Sequence, residues 1–269
     1  MNKVVVTFTS LPSRLKYIEP LVQSMMDQSY ADFELHLNIP DFSELEQAPY
    51  VLPEWMQKYP KLQVFAGGID WGSHTKLVPT LKRISDPDTI IITVDDDLIY
   101  HTDTVKNHIE LRRDKYPEAA IGFAGISSLD IDKHYCSSME YDTRVRILEG
   151  YKSVSYLRKF FDPVYYAYAR LHWCDDTTIS CMLGRLGIEK YCCHWPGEQG
   201  LPSWQSPFEP SADGGPIIGK LCHNYPTSGC KIRKNDSDKM GVRYSVEVFN
   251  EWIAAGWYDA GVNKPRTTQ

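Results

Sequence analysis

Apolar and polar positions fall into blocks that read as strands and helices in turn. Residues 3–9 (Lys3-Val4-Val5-Val6-Thr7-Phe8-Thr9) form a short β-branched run suited to a strand covered on both faces. Ser10-Leu11-Pro12-Ser13-Arg14 breaks the run. Leu15, Ile18, Leu21, Val22, Met25 and Met26 then recur at three- and four-residue spacings, which predicts a helix, and residues 33–39 alternate as a second strand. Residues 40–60, rich in Pro and acids, read as an irregular connection with a short helix over 54–59. Leu62-Gln63-Val64-Phe65 gives a third strand ended by Gly67-Gly68, and a helix over 75–84 follows a polar loop. The most apolar strand, Thr89-Ile90-Ile91-Ile92-Thr93-Val94, runs straight into Asp95-Asp96-Asp97.

The second half is less regular. It predicts a helix over 102–113, strands over 120–126 and 151–156, and a helix over 176–186 closed by Gly187. Residues 195–216 carry Pro and Gly at a density typical of a long functional loop, residues 245–255 read as a last helix, and 263–269 as a frayed tail. Strands alternating with helices imply an α/β fold with a mostly parallel central sheet flanked by helices. Ligands of such sheets bind beyond the carboxyl ends of the strands, and the length suits a single domain over 1–262.

Composition narrows the functions that fit. With 42% hydrophobic and 24% charged residues the chain is an ordinary globular protein. Its net charge of -6 argues against a general nucleic-acid binder, so an anionic ligand needs a local device such as a metal ion. There is no apolar run of bilayer length, and residues 1–10 read as a strand instead of a signal peptide, so a cytoplasmic protein without a transmembrane segment is expected. The seven cysteines (Cys136, Cys174, Cys181, Cys192, Cys193, Cys222, Cys230) have no CxxC or zinc-like spacing and are expected to be buried thiols.

Three consecutive carboxylates repel one another, and at a buried strand end a divalent cation is their natural partner. In an extended backbone Asp95 and Asp97 share one face and Asp96 takes the other, so the outer pair suits Mg²⁺ or Mn²⁺ and the middle one a sugar hydroxyl. The segment Ile90-Ile91-Ile92-Thr93-Val94-Asp95-Asp96-Asp97 resembles the DxD motif of GT-A glycosyltransferases, especially those similar to family 2, and the likeness covers roughly residues 3–187.

The resemblance implies a GT-A, Rossmann-like fold with a nucleotide-binding half over 1–100 and an acceptor-binding half over 101–262. It also implies a nucleotide-diphosphate sugar donor of UDP, GDP or dTDP type, a glycan acceptor, hexosyl or pentosyl transfer, and Mn²⁺ or Mg²⁺. Thr9, Ser10 and Arg14 would contact the nucleotide, although Ser13 suits an N-cap for the following helix. Lys76, in Gly72-Ser73-His74-Thr75-Lys76-Leu77, would approach the diphosphate; otherwise it is an exposed lysine on a helix's first turn. In Asp175-Asp176 the second member would be the base that deprotonates the acceptor and the first its neighbour, while both also suit a helix N-terminus. Asp95 and Asp96 would touch the donor, and His223 would join Asp95 and Asp97 on the metal, with Lys231, Arg233 and Lys234 covering the diphosphate.

Glu149-Gly150-Tyr151-Lys152 resembles the acceptor-lining segment, unless Tyr151 is core and Lys152 solvated, and Trp195, Trp204 and Phe208 offer rings for sugar faces or for anchoring their loop. With Asp176 as base and no separate nucleophile evident, inversion is expected. A sugar-nucleotide nucleotidyltransferase and a non-catalytic carbohydrate-binding protein are the alternatives. The first usually needs a Gly-rich loop after the opening strand, and residues 9–14 contain no glycine.

Overall fold

The computed structural model describes residues 2–126, 142–171, 174–194 and 204–205. Their eight-stranded sheet comprises, in chain order, β1 (Val4–Phe8), β2 (Glu34–Ile39), β3 (Leu62–Ala66), β4 (Ile90–Thr93), β5 (Ala120–Gly122), β6 (Thr143–Arg144), β7 (Val154–Leu157) and β8 (Lys190–Cys192). Across the sheet they lie in the order β6-β8-β5-β7-β4-β1-β2-β3. β3, β2, β1 and β4 are mutually parallel, β7 runs against both β4 and β5, and β8 is parallel to β5. The result is the α/β, mostly parallel sheet expected. β1, β4 and β7 are buried along their whole lengths, as strands covered on both faces must be.

Helices α1 (Glu19–Met26), α2 (Val78–Arg83), α3 (Thr104–Asp114), α4 (Pro163–Leu171) and α5 (Asp175–Arg185) flank the sheet, and no described helix is long and apolar enough to cross a membrane. The expected helix from Leu15 splits into a 3-10 turn, Leu15–Tyr17, and α1, because Pro20 has no N–H to continue a ladder and settles in the first turn. Pro79 divides Gly72–Lys76 from α2 in the same way. The strand expected over 151–156 begins only at Val154. Gly150–Lys152 is a 3-10 turn, and Ser153, with φ 72°, makes the corner. β2 does not alternate: Leu35 through Ile39 are all buried, His36 and Asn38 among them. The helix expected over 245–255, the tail, and Cys136, Cys222 and Cys230 lie outside the described residues. Cys174, Cys181, Cys192 and Cys193 form no disulfide.

The strand order sets the place of the site. From β1 the chain winds outward through β2 to β3, then crosses back to lay β4 on the other side of β1, so the loops after β1 and β4 diverge and leave a crevice between them. A buried polar knot under this crevice fixes its floor. Asn38 Nδ2 donates to Thr7 Oγ1 at 2.9 Å and to Thr80 Oγ1 at 3.0 Å, and Thr7 Oγ1 donates to the Lys76 carbonyl at 2.6 Å. Arg83 donates in turn to Asn38 Oδ1. Thr7, Asn38, Lys76 and Thr80 are buried, and deleting one leaves the others unsatisfied. Asn38→Ala should therefore cost about 2–3 kcal/mol of stability in urea unfolding, well beyond the few tenths of a surface change.

Candidate active site

Asp95, Asp96 and Asp97 follow β4 as it enters a turn at Asp96 and Asp97. Because β4 ends at Thr93, the strand alternation expected for the three does not hold. Asp96 and Asp97 converge on one guanidinium instead: Arg14 Nη1 lies 3.0 Å from Asp96 Oδ1 and Nη2 lies 2.7 Å from Asp97 Oδ2. Ser10 Oγ donates to the second Asp96 oxygen at 2.7 Å. The loop after β1 thus grips the turn after β4 directly across the crevice. Ser13 does not cap α1; its N–H and hydroxyl both donate to Glu46.

Asp95 turns to the other side and pairs with Lys76, whose ammonium also lies 2.9 Å from Asp175 Oδ2. Lys76 is buried at 7% exposure, which removes the reading of a solvated helix-turn lysine. The polar turn Gly72–Lys76 therefore meets a carboxylate of its own chain. Ser73 hydrogen-bonds Asp175 as well, and the neighbouring His74 is fixed by the Tyr165 hydroxyl at 2.8 Å. Asp175 and Asp176 open α5, whose N-cap Cys174 supplies no side-chain cap. Asp176 Oδ1 accepts the Gly150 N–H at 2.9 Å. A Cβ at Gly150 would stand 2.9 Å from that oxygen and 3.5 Å from Lys76 Nζ, so this approach requires glycine. Lys152, read as solvated in one alternative, is buried at 7% exposure, and Tyr151 packs partly buried against the core.

Five aspartates are thus gathered around Lys76 and Arg14, and the ionisation of each reflects its partners. Burial and its acidic neighbours push Asp96 up to about 6 against the pull of Arg14 and Ser10. Burial raises Asp95 too, with Lys76 opposing and Asp97 and Asp175 adding repulsion. Burial would raise Asp175, but Lys76 and His74 outweigh it and hold the carboxyl below its usual range. Asp176 goes the other way. Burial and the Asp175 charge lift it well above the ordinary carboxylate range, which makes it the stronger base of the pair.

Do these residues suit a divalent cation? Among the described residues no three His, Cys, Asp or Glu side chains form a metal cage. Mg²⁺ and Mn²⁺ need no such cage where one or two carboxylates and substrate phosphates complete the shell. The oxygen-only donors Asp95 and Asp97 remain 27% and 25% exposed, and Asp95 and Asp96 are raised by burial and then by neighbouring carboxylates, a cost that a cation would relieve. The residues fit the ion.

Of the residues read from sequence, Ser10, Arg14, Asp96 and Asp97 form one cluster and Lys76, Asp95 and Asp175 another, while Asp176 is bound to Gly150. Thr9 stands apart and donates to the Asn38 carbonyl at 2.7 Å. His223, Lys231, Arg233, Lys234, Trp195 and Phe208 lie outside the described residues. Of the Pro-rich loop, Trp204–Gln205 is described and pairs antiparallel with Ile99–Tyr100, just past the aspartates. Two contributors escaped the sequence reading. The Gly150 N–H was hidden in a segment noted only for its likeness, and the Tyr100 hydroxyl, which accepts the Asp95 N–H at 2.8 Å, has no sequence signature.

The chain is similar to mannosyltransferase PcManGT from Pyrobaculum calidifontis, solved in complex with GDP-Man and Mn²⁺, at 12% identity and TM-score 0.48 over 94% of this chain and 74% of that one. It is also similar to residues 1–349 of S. aureus TarS, at 15% identity and TM-score 0.41 over 67% of this chain and 56% of that one. Neither likeness assigns chemistry to a residue here. No protein family and no curated protein matches the chain.

The raised Asp96 carboxyl has a consequence for stability without metal. A carboxyl whose folded pKa lies above its unfolded value favours the fold when protonated, and that contribution is lost as pH rises through the folded value, here about 6. Asp96→Asn, which mimics the protonated form, should melt above the wild type at pH 7–8 in EDTA, with the gap closing as pH falls to 4. A gap independent of pH would contradict the assignment.

Proposed function

We propose that the chain is a metal-dependent glycosyltransferase that moves a monosaccharide from a nucleotide-diphosphate sugar to a hydroxyl of a glycan acceptor, with inversion. One observation carries the reading: two acidic sites of different character meet at the carboxyl end of the sheet's switch point. Asp95 and Asp97 are partly exposed and would hold Mn²⁺ or Mg²⁺. Asp176 is held apart from them by the Gly150 N–H. The cation would neutralise the diphosphate as it leaves.

The protein's own groups divide the remaining work. Asp176 Oδ1 is committed to Gly150, which leaves Oδ2 for the acceptor. It takes the hydroxyl proton as the acceptor oxygen bonds to the anomeric carbon and the carbon's bond to the diphosphate oxygen breaks. Asp175 stays ionised against Lys76, and its charge keeps Asp176 basic. The Arg14 fork keeps Asp96 and Asp97 at the donor side. Residues 1–100 would thus serve the donor, and the segments around Gly150 and α5, within 101–262, the acceptor.

The direct test is release of free nucleoside diphosphate from a panel of UDP-, GDP- and dTDP-sugars with Mn²⁺. Asp176→Asn should lower kcat by about 10²–10⁴-fold and leave donor affinity within about threefold, since a general base acts in the transition state. Asp97→Ala should instead weaken Mn²⁺ binding by about 10-fold or more in calorimetry. Full turnover by both variants would refute the proposal, and pyrophosphate release from a nucleoside triphosphate would favour a nucleotidyltransferase.

A further inference from the structure

We infer that Tyr100 is a positioning residue that fixes the donor-side Asp95 and the acceptor-side Asp176 in one frame, an inference that rests on the function proposed above. Its side chain is buried at 4% exposure. The hydroxyl accepts the backbone N–H of Asp95 at 2.8 Å and donates to the backbone carbonyl of Tyr151 at 2.9 Å. With its single proton and a lone pair both used, the group cannot rotate without losing one of the bonds.

Tyr151 lies in the 3-10 turn Gly150–Lys152, and the preceding residue's N–H holds Asp176 Oδ1 at 2.9 Å. One phenol therefore joins the backbone that carries Asp95 to the turn that orients Asp176. The phenol is itself moored to a helix. The Tyr100 N–H donates to Ser24 Oγ at 3.2 Å, and Ser24 Oγ donates to the Leu21 carbonyl at 2.7 Å inside α1. No residue of this path except Asp95 and Asp176 carries a charge.

A second path between the acidic sites runs from Asp95 through Lys76 to Asp175. That path is ionic and runs through the Lys76 ammonium, so a cation or a diphosphate arriving at Asp95 competes for it directly. The Tyr100 path uses neutral backbone groups and outlasts that change of charge. It is the element that keeps base and donor site in register while ligands exchange. Burial, which pushes the Tyr100 phenol well above its usual range, keeps the path uncharged.

The test is Tyr100→Phe in the full chain. Without metal, hydrogen exchange should speed up at the Asp95 and Gly150 amides together, by about 10-fold or more, while amides in β1 and β2 keep their protection. Loss of protection at Asp95 alone, or at neither, overturns the inference whether or not any donor is turned over. In the transfer assay kcat should fall about 10- to 100-fold with donor KM within about threefold, the signature of a misplaced base. Placed in an Asp176→Asn background, Tyr100→Phe should cost less than about twofold more, because the two changes act through one group. Equal losses in both backgrounds would mean that Tyr100 acts elsewhere. Should Tyr100→Phe fail to fold, Ser24→Ala loosens the same post more gently and must show the same paired exchange; exchange at neither amide then counts against the inference. A wild type inert toward every donor would remove the proposed function, yet the exchange result would still decide the link.

Discussion

The site depends on one electrostatic constraint: five aspartates crowd the carboxyl end of the sheet, and the fold must keep them there without pushing itself apart. Lys76 and Arg14 meet that constraint in different ways. Lys76 is a point charge between Asp95 and Asp175, the first after β4 and the second at the start of α5. Arg14 is a planar fork, and its two nitrogens address Asp96 and Asp97 separately. Neither would serve in the other's place. A lysine at 14 could not span two carboxylates with fixed geometry, and a guanidinium at 76 would have to fit beside Gly150, where even an added Cβ would stand only 3.5 Å from the ammonium.

These pairs explain why the protein builds so much buried polar structure beneath the crevice. A buried lysine is costly unless its partners and its own backbone are held in place. The Lys76 carbonyl is fixed by Thr7, and Thr7 by Asn38, so the ammonium is aimed from β1 and β2 and not from a free loop. His36, two residues before Asn38 in β2, is buried too, and burial keeps its imidazole below the usual range. The buried Lys76 ammonium beneath the crevice is thus aimed at the acids.

Sequence disclosed the scaffold more readily than the site. β1 and β4 were legible because strands buried on both faces must be apolar throughout, and runs such as Ile90-Ile91-Ile92 admit few other readings. The turn at Gly67 and Gly68, with φ of 126° and 85°, was legible for its backbone demand. What failed was local and physical. Pro20 and Pro79 cut helices whose apolar spacing continued across them, and Ser153 took a positive φ that nothing in its chemistry announces. α4 went unseen because Pro163-Val164-Tyr165-Tyr166-Ala167-Tyr168 mixes a helix-start proline with aromatic residues of modest propensity. In the site, residue types were readable and pairings were not. Three adjacent aspartates suggested an alternating strand, whereas the turn at Asp96 lets two neighbours share one arginine. Contacts such as Lys76 with Asp175 span most of a hundred positions, and no periodicity encodes them.

The split between Asp175 and Asp176 follows from the same constraint. Adjacent residues at a helix start feel the same helix dipole, so the dipole cannot make one a weak base and the other a strong one. Their partners do. Both are largely buried, but Asp175 receives an ammonium and a serine hydroxyl that favour its charge, whereas burial of Asp176 is offset by little more than one neutral backbone N–H and is reinforced by the repulsion of its neighbour. An ionised Asp175 is therefore more than an anchor for Lys76, because the charge that satisfies the lysine also raises the basicity of the next residue. Any ligand that drew Lys76 away from Asp175 would unbalance both at once. In the proposed mechanism, donor occupancy and the proton affinity of the base would in this way be linked through a single ammonium, while Tyr100 would hold the distance between them.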